Sequence, residues 1–286
     1  MKIRKNKLSL LSICALASSL VITACSADEH KGEHKDETVE VVETTAHNGE
    51  ICQGYAGQTP RDIDSKLGTN KVKFSLAPAP SEMNLCNIHF HENAEHKAKD
   101  FSIYAGDGKY GGYQCGISKE LTKAELKAPE GEICKGLEPG DTIEVHWVHT
   151  SCDVAPGPGL GSCLSDACAN PDLRVETQVF TLVNDSNALN FNDLSYGGNQ
   201  VNGYHQAKSI PSNTGIPVEF MGSTTGPSYT EQSCSPLQVT WSVRPQCAKL
   251  DINTIGKWCE SNVFNEDHAH GVRKLVTDPR LLAPIK

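Results

Sequence analysis

Asn87-Ile-His-Phe-His-Glu-Asn-Ala-Glu-His96 and, further along, Glu144-Val-His-Trp-Val-His149 are the two stretches on which this sequence turns. In an extended strand alternate side chains share a face, so His89 and His91 project to one side and Phe90 to the other. Two imidazoles on one strand face make half of a metal clamp, and His146 on a neighbouring strand supplies a third nitrogen. Three protein ligands with one position left open describe a catalytic zinc site and not a structural one. A His-x-His dipeptide by itself is commonly surface decoration; the second cluster, with its own carboxylate, turns the reading. Glu144 lies two residues before His146 on the same face, placed to accept that ring's N–H and fix its tautomer. Asn87, two before His89, is placed to support that ligand through its amide oxygen. His149 is an odd step from His146, faces the other side, and reads as structural.

The rest of the chain sets bounds on this site. At 286 residues it can form one large domain or two modest ones. Apolar residues at 38% and charged ones at 21% are ordinary for a folded soluble domain. A net charge of −9, with no basic run beyond the first residues, argues against a nucleic-acid partner.

The N-terminus reads as an address. Met1-Lys-Ile-Arg-Lys-Asn-Lys7 is positive, and the apolar stretch Leu8 to Ala24 ends in Ile22-Thr-Ala-Cys25. That is a secretory signal. The small residues ahead of the cysteine resemble a bacterial lipoprotein box, so residues 1–24 are expected to be removed and Cys25 lipidated. The apolar run is short and broken by serines, which speaks against a transmembrane anchor. Ser26, where aspartate would favour inner-membrane retention, points to the outer membrane, facing the periplasm or the cell surface. Residues 25–48, charged and poor in apolar side chains, read as a flexible tether, with His30, His34 and His47 solvated on it. The folded domain is expected over 49–286.

Cysteine usage agrees with export. Of twelve cysteines, Cys14 leaves with the signal and Cys25 takes the lipid; the ten that remain imply a disulfide framework. No CxxC pair appears, and Cys163 and Cys168 sit in a Gly/Pro/Ser-rich loop, so a thiolate metal site is disfavoured. Proximity in sequence favours the local pairings Cys115–Cys134 and Cys247–Cys259. From Ile51 onward short β-rich runs cover 72–76, 87–90, 101–104, 142–148, 175–183, 217–221 and 237–243, separated by Gly, Pro and Asn clusters. Helices are predicted only over 118–126 and 250–260, the second starting near Asp251. The fold expected is one mainly β domain with a large sheet and long disulfide-pinned loops.

Several strings together resemble one family. His89-Phe-His-Glu-Asn-Ala-Glu-His96 resembles the HFHxxSEH signature of bacterial alpha-class carbonic anhydrases, and Glu144 to His149 resembles their ELHLVHW strand. Gln58-Thr-Pro-Arg-Asp-Ile-Asp64 is similar to QSPIDI, Gly222-Ser-Thr-Thr-Gly-Pro227 to GSLTTPP, and Leu237 to Val243 to the VTWxV strand that follows. The segment from Asn265 to Val276 is similar to a late N-x-R-P…NGR-x-V segment. The long cysteine-bearing insertions and the Ala-Glu-His variant fit the related delta class better, and the chain is identified as a member of that class.

The resemblance implies an alpha-carbonic-anhydrase-like fold built on a large, mostly antiparallel central sheet with a few short helices. It implies zinc on His89, His91 and His146, with cobalt or cadmium as possible substitutes, and hydration of carbon dioxide to bicarbonate by zinc-bound hydroxide. Three neutral imidazoles leave the zinc its charge and lower the pKa of bound water to about 7, a value that belongs to carbonic anhydrases as a group. Thr224 is the expected gatekeeper, accepting from the hydroxide and donating to Glu95, with Thr225 flanking the bicarbonate. Val148 and Val179 are the expected apolar wall for carbon dioxide, with Trp241 beneath and His96 a buried structural histidine. The family's cross-link implies a Cys52–Cys234 disulfide. One departure matters: no histidine lies between His47 and His89, where alpha enzymes carry the imidazole that exports the proton. His205, His268, His270 or direct transfer to buffer are left open. The rival reading is a zinc-binding or carbonic-anhydrase-related lipoprotein without turnover. A metallopeptidase is disfavoured, because no His-Glu-x-x-His helix is present.

Overall fold

Eleven consecutive buried residues, Leu173–Val183, form the strand on which the sheet is centred. The structure is a computed structural model that describes residues 51–286 apart from 108, 132, 227 and 273–275. The expected signal 1–24, the lipidation site Cys25 and the tether 25–48 lie outside the described residues. The strands are β1 (Asn84–Glu92), β2 (Ile103–Gly106), β3 (Gly112–Gln114), β4 (Thr142–Thr150), β5 (Leu173–Val183), β6 (Gln200–Val201), β7 (Tyr204–His205), β8 (Val218–Ser223), β9 (Gln238–Val243) and β10 (Ala248–Asp251). The main sheet runs β1-β4-β5-β9-β8, and β10 also pairs with β5. Its β1–β4, β4–β5 and β8–β9 pairs are antiparallel, whereas β9 and β10 run parallel to β5. The architecture is mainly β and mostly antiparallel, as the sequence predicted.

Both faces of the sheet are covered, which is why β4 and β5 read as near-continuous apolar and β-branched runs. On one face Phe90, Val145, Trp147, Phe180 and Leu182 pack against helix α2 (Ile252–Glu260); a single-turn helix, α1 (Phe191–Leu194), packs beside it. Ile252, Ile255 and Trp258 recur at three-residue spacing and so share the inner side of α2. Asp251 caps that helix, accepting from the Asn253 N–H at 3.1 Å. On the other face Val148, Val175, Val179, Val239, Trp241 and Val243 form a second core. A bulge at Cys86 breaks the β1–β4 register between Leu85 and Asn87. The extra residue resets the parity, so Leu85 and Ile88 both enter the first core while Asn87 and His89 face the second.

Three sequence expectations differ from the structure. The run 72–76 is not a strand; Val72 and Leu76 are exposed, and the Val72 N–H is taken by the Asn70 side chain, donating to Oδ1 at 2.8 Å. The helix predicted over 118–126 reduces to a 3-10 turn at Gly116–Glu120. Glu125 folds its carboxylate back onto the Thr122 N–H and hydroxyl, both at 2.8 Å, which closes one turn instead of extending a helix. The second predicted helix begins at Ile252, because Leu250 and Asp251 belong to β10.

All ten cysteines from Cys52 onward are paired. Cys52–Cys234 forms, and so do Cys86–Cys163 and Cys152–Cys168. The local pairings Cys115–Cys134 and Cys247–Cys259 do not: the same four residues form Cys115–Cys247 and Cys134–Cys259. Nearness in sequence is the wrong guide there, because β10 and α2 are laid against the first half of the chain. Cys52–Cys234 closes a loop of 182 residues, for which chain entropy allows about 5 kcal/mol.

Candidate metal centre

His89 and His146 stand directly opposite each other across the β1–β4 ladder, and His91 stands opposite Glu144. Directly opposed residues of an antiparallel pair project to the same face with their Cβ atoms about 5 Å apart. The three rings therefore converge, with centroids 4.9–5.3 Å from one another. One ring nitrogen of each lies within 4.8 Å of the others.

The outward nitrogens decide which nitrogens face inward. His89 Nδ1 donates to Asn87 Oδ1 at 2.6 Å, and His91 Nδ1 donates to the Gly271 carbonyl at 3.1 Å. His146 Nε2 donates to Glu144 Oε1 at 2.7 Å. Each ring spends its proton outward and keeps a bare lone pair inward: Nε2 of His89 and His91, Nδ1 of His146. His89 Nε2 and His146 Nδ1 face each other at 3.2 Å. Two lone pairs so aimed repel unless a cation accepts both, so the donor set fits a metal ion. Burial also holds His91 neutral: it lowers the pKa to about 4, against the opposing pull of Glu95.

Glu144 is shared. It accepts from His146 and also from His96, whose Nδ1 lies at 2.7 Å and whose backbone N–H lies at 3.0 Å. Burial alone raises a carboxyl pKa, but His96 and His146 outweigh it and hold Glu144 well below its ordinary value. His96 is fully buried, with its ring 4.8 Å from that of Trp241.

The structure pairs the two threonines differently from the expected relay. Thr224 Oγ1 lies 2.6 Å from Ser235 Oγ and makes no bond to Glu95. It is Thr225 whose hydroxyl donates to Glu95 Oε2, at 3.3 Å. Strand β8 ends at Ser223, which is held by Thr59 through both its N–H (2.9 Å) and its carbonyl (2.7 Å), and Thr224 then turns toward Ser235. The signal was present: this chain has one residue fewer between Gly222-Ser223 and the threonine pair than GSLTTPP. Counting from Gly-Ser, and not matching Thr to Thr, selects Thr225.

A cavity of about 90 Å³ opens beside the three imidazoles. Val148, Trp241, Thr224 and Thr225 line it. Val179 does not; it lies beneath, opposite Glu144 on β5, in the second core. The apolar wall is instead completed by Leu160, Leu173, Val175 and Val239, which sequence reasoning missed. Glu266 and His270 also line the cavity, with His270 Nε2 2.8 Å from Glu266 Oε2. Of the three histidines left open as proton carriers, His270 is thus on the cavity wall, and His268 lies beyond it with ring centroids 5.8 Å apart. His205 is bound to Tyr196 at 2.6 Å and is not on the wall.

His149 lies on the opposite face, fully buried, with Nδ1 3.1 Å from the Trp147 carbonyl and no partner at Nε2. Burial lowers its pKa to about 4; Glu176 and the Trp147 carbonyl pull upward and Arg174 downward. An unfolded imidazole titrates at about 6.5. Between the two values the unfolded chain binds a proton that the folded chain refuses. This contribution is therefore complete above pH 6.5 and lost as pH falls toward 4, at about 1.4 kcal/mol per pH unit. Denaturant unfolding at pH 7 and pH 4.5 is expected to show a shallower pH slope in His149→Gln than in the parent. Equal slopes would refute the assignment.

A family model described as Delta carbonic anhydrase matches residues 80–254, more than half of the chain. This chain belongs to the delta carbonic anhydrase family. The matched span of this delta carbonic anhydrase holds His89, His91, His146, Glu95 and both threonines, while Glu266 and His270 lie beyond it. No curated protein matches the sequence.

Proposed function

We propose that this member of the family is a zinc enzyme that hydrates carbon dioxide reversibly to bicarbonate and a proton. The observation that carries the reading is the set of three inward ring nitrogens, each fixed by an acceptor on its outer nitrogen. Zinc, when bound, supplies the charge that makes water a nucleophile at neutral pH. Everything else is done by the chain. Asn87, the Gly271 carbonyl and Glu144 hold the tautomers of His89, His91 and His146. Thr225, with its proton committed to Glu95, turns its lone pairs to the cavity, where they accept from a hydroxyl and orient the attacking oxygen. Val148, Val175 and Trp241 give an apolar substrate a dry wall. Thr224 flanks the product. His270, held by Glu266, is the wall imidazole nearest the path by which the proton leaves.

The rival, a zinc-binding protein without turnover, is disfavoured by the Thr225–Glu95 pair, which serves orientation and not metal retention. Stopped-flow carbon dioxide hydration tests the choice. The zinc-loaded chain is expected to turn over with one zinc per chain, and the chelated chain is expected to be inert. A loaded chain without activity, or an apo chain as active, overturns the reading. Cobalt and cadmium, which accept the same imidazoles, are the substitutes to compare.

We also propose export and lipid anchoring through Cys25, toward the outer membrane, with 49–286 as the enzyme domain. The leader motif supports this, and so do five disulfides, which belong in an oxidising compartment. Among the described residues no helix is long and apolar enough to cross a membrane.

A further inference from the structure

Next to the histidine cavity lies a second and larger one, of about 310 Å³ against about 90 Å³. It sits at the end of the sheet where the parallel strands β5 and β9 both begin, and Leu173, the first residue of β5, lines both cavities. Buried Ala77, Leu173 and Thr240 form its floor. Four polar side chains, Ser75, Asn170, Asp172 and Gln238, stand exposed on its rim, and Phe74 is half-buried in its wall.

The walls are fixed by the fold itself. The Ala77 N–H donates to Thr240 Oγ1 at 2.8 Å, which ties the segment before β1 to β9. Asp172 is held through its main chain: its carbonyl accepts from the Ser151 N–H and its own N–H donates to Ser151 Oγ, both at 3.0 Å. Cys152–Cys168 anchors the chain just ahead of Asn170, and Cys52–Cys234 anchors it just ahead of Gln238. Pro171 and Pro236 fix φ between those anchors and the strands. The four rim side chains make no hydrogen bond with the protein among the described residues. A preformed cleft whose polar groups are uncommitted loses little entropy when a ligand enters.

The lining narrows what fits. No Lys, Arg or His lines the cavity and its one charged group is Asp172, so bicarbonate, phosphate and other anions are repelled. A single carboxylate is a poor match for a divalent cation, whose sites gather several. A purely apolar ligand would leave a carboxylate and two carboxamides desolvated and unpaired. A neutral molecule rich in hydroxyls meets every group present. Each hydroxyl both donates and accepts: Asp172 accepts from a vicinal pair, while the Asn170 and Gln238 carboxamides donate to the same kind of oxygen. Phe74 offers apolar surface to the C–H face of a ring. The volume stands at the lower edge of the roughly 300–1,000 Å³ of small-ligand sites, room for one ring and not for a chain. We propose that this cavity binds a neutral pyranose, as a free sugar or as the end ring of a polysaccharide. The site does not depend on the carbonic anhydrase reading.

The test titrates the zinc-loaded full chain with the methyl glycosides of glucose, mannose and galactose, followed by saturation-transfer NMR and calorimetry. Calcium chloride and inorganic phosphate are titrated in parallel. At least one glycoside is expected to bind, with a Kd on the order of 1 mM, and neither salt is. Asp172→Asn keeps the shape but loses the acceptor-only carboxylate, and should weaken that binding about 10-fold. Phe74→Ala should weaken it on a similar scale, and Phe74→Tyr should keep it. Carbon dioxide hydration should stay parental in all three, because neither residue lines the histidine cavity. A hexasaccharide of the sugar that binds separates the two sources: tighter binding than the glycoside identifies a polysaccharide end, equal or weaker binding a free sugar. If Phe74→Ala fails to fold, Asp172→Asn decides alone. The proposal is overturned if no glycoside binds, if Asp172→Asn keeps the parental affinity, or if calcium or phosphate binds and Asp172→Asn abolishes it. A chain that binds the glycoside but hydrates no carbon dioxide fails the enzyme reading only, so the two failures are distinct.

Discussion

His146→Ala is expected to leave a chain with no measurable carbon dioxide hydration and much less than one zinc per chain. His146 is the one ligand that β4 contributes, and without it the inward set falls to two nitrogens on β1. Two imidazoles do not hold zinc as three do, and the loss of the His146 N–H reaches Glu144 as well. That carboxylate is fully buried and would keep only the His96 donors of the three it now has. Stability is therefore expected to fall along with the metal, because removing one partner of a buried charge exposes the cost of the other. Alanine at His89 or His91 should remove zinc and activity likewise, without touching Glu144's partners. His149→Ala, on the far face, should stay metallated. Elemental analysis and stopped-flow hydration on the same preparations decide the matter: full zinc with parental turnover in His146→Ala would sink the ligand assignment.

Thr225→Ala and Glu95→Gln form the second expectation. Both should keep zinc and lose turnover by on the order of 10²-fold, the scale of removing one preorganised hydrogen bond at a reacting centre. The hydroxyl of Thr225 acts as an oriented acceptor only while Glu95 takes its proton, and an amide at 95 can present an N–H in place of that acceptor. Thr224→Ala is the discriminating control. Its hydroxyl is committed to Ser235, so its loss should cost much less. Parental rates in both Thr225→Ala and Glu95→Gln, or a larger loss in Thr224→Ala, would return the relay to Thr224.

How much of this was legible beforehand follows from range. A period of two along β1 and β4 placed His89, His91, His146 and Glu144 on one face and His149 on the other, and the ladder register keeps that division. The same rule could not place Val179: its parity is right, but it lies one strand deeper, beneath the cavity. Leu160, Glu266 and His270 reach their positions through loops, and the disulfide partners come from distant segments, so no periodic pattern reports what lies opposite. The threonine pairing differs in kind, because the spacing from Gly222-Ser223 points to Thr225 where residue identity points to Thr224.

The division of the site between distant segments also sets an order of events in the protein's maturation. His89 and His91 are adjacent on one strand, but His146 meets them only after β4 has paired with β1, and the Gly271 carbonyl that orients His91 comes from nearly the end of the chain. Such pairings form late, because the closure entropy of the long intervening loops must be met first. Before that pairing, the three ligands of this set offer an ion only the His-x-His of β1. On the zinc reading, the ion would meet its full ligand set only in the paired sheet, unlike the ion of a zinc finger. An ion held by all three histidines would then be taken up after β1 and β4 have paired.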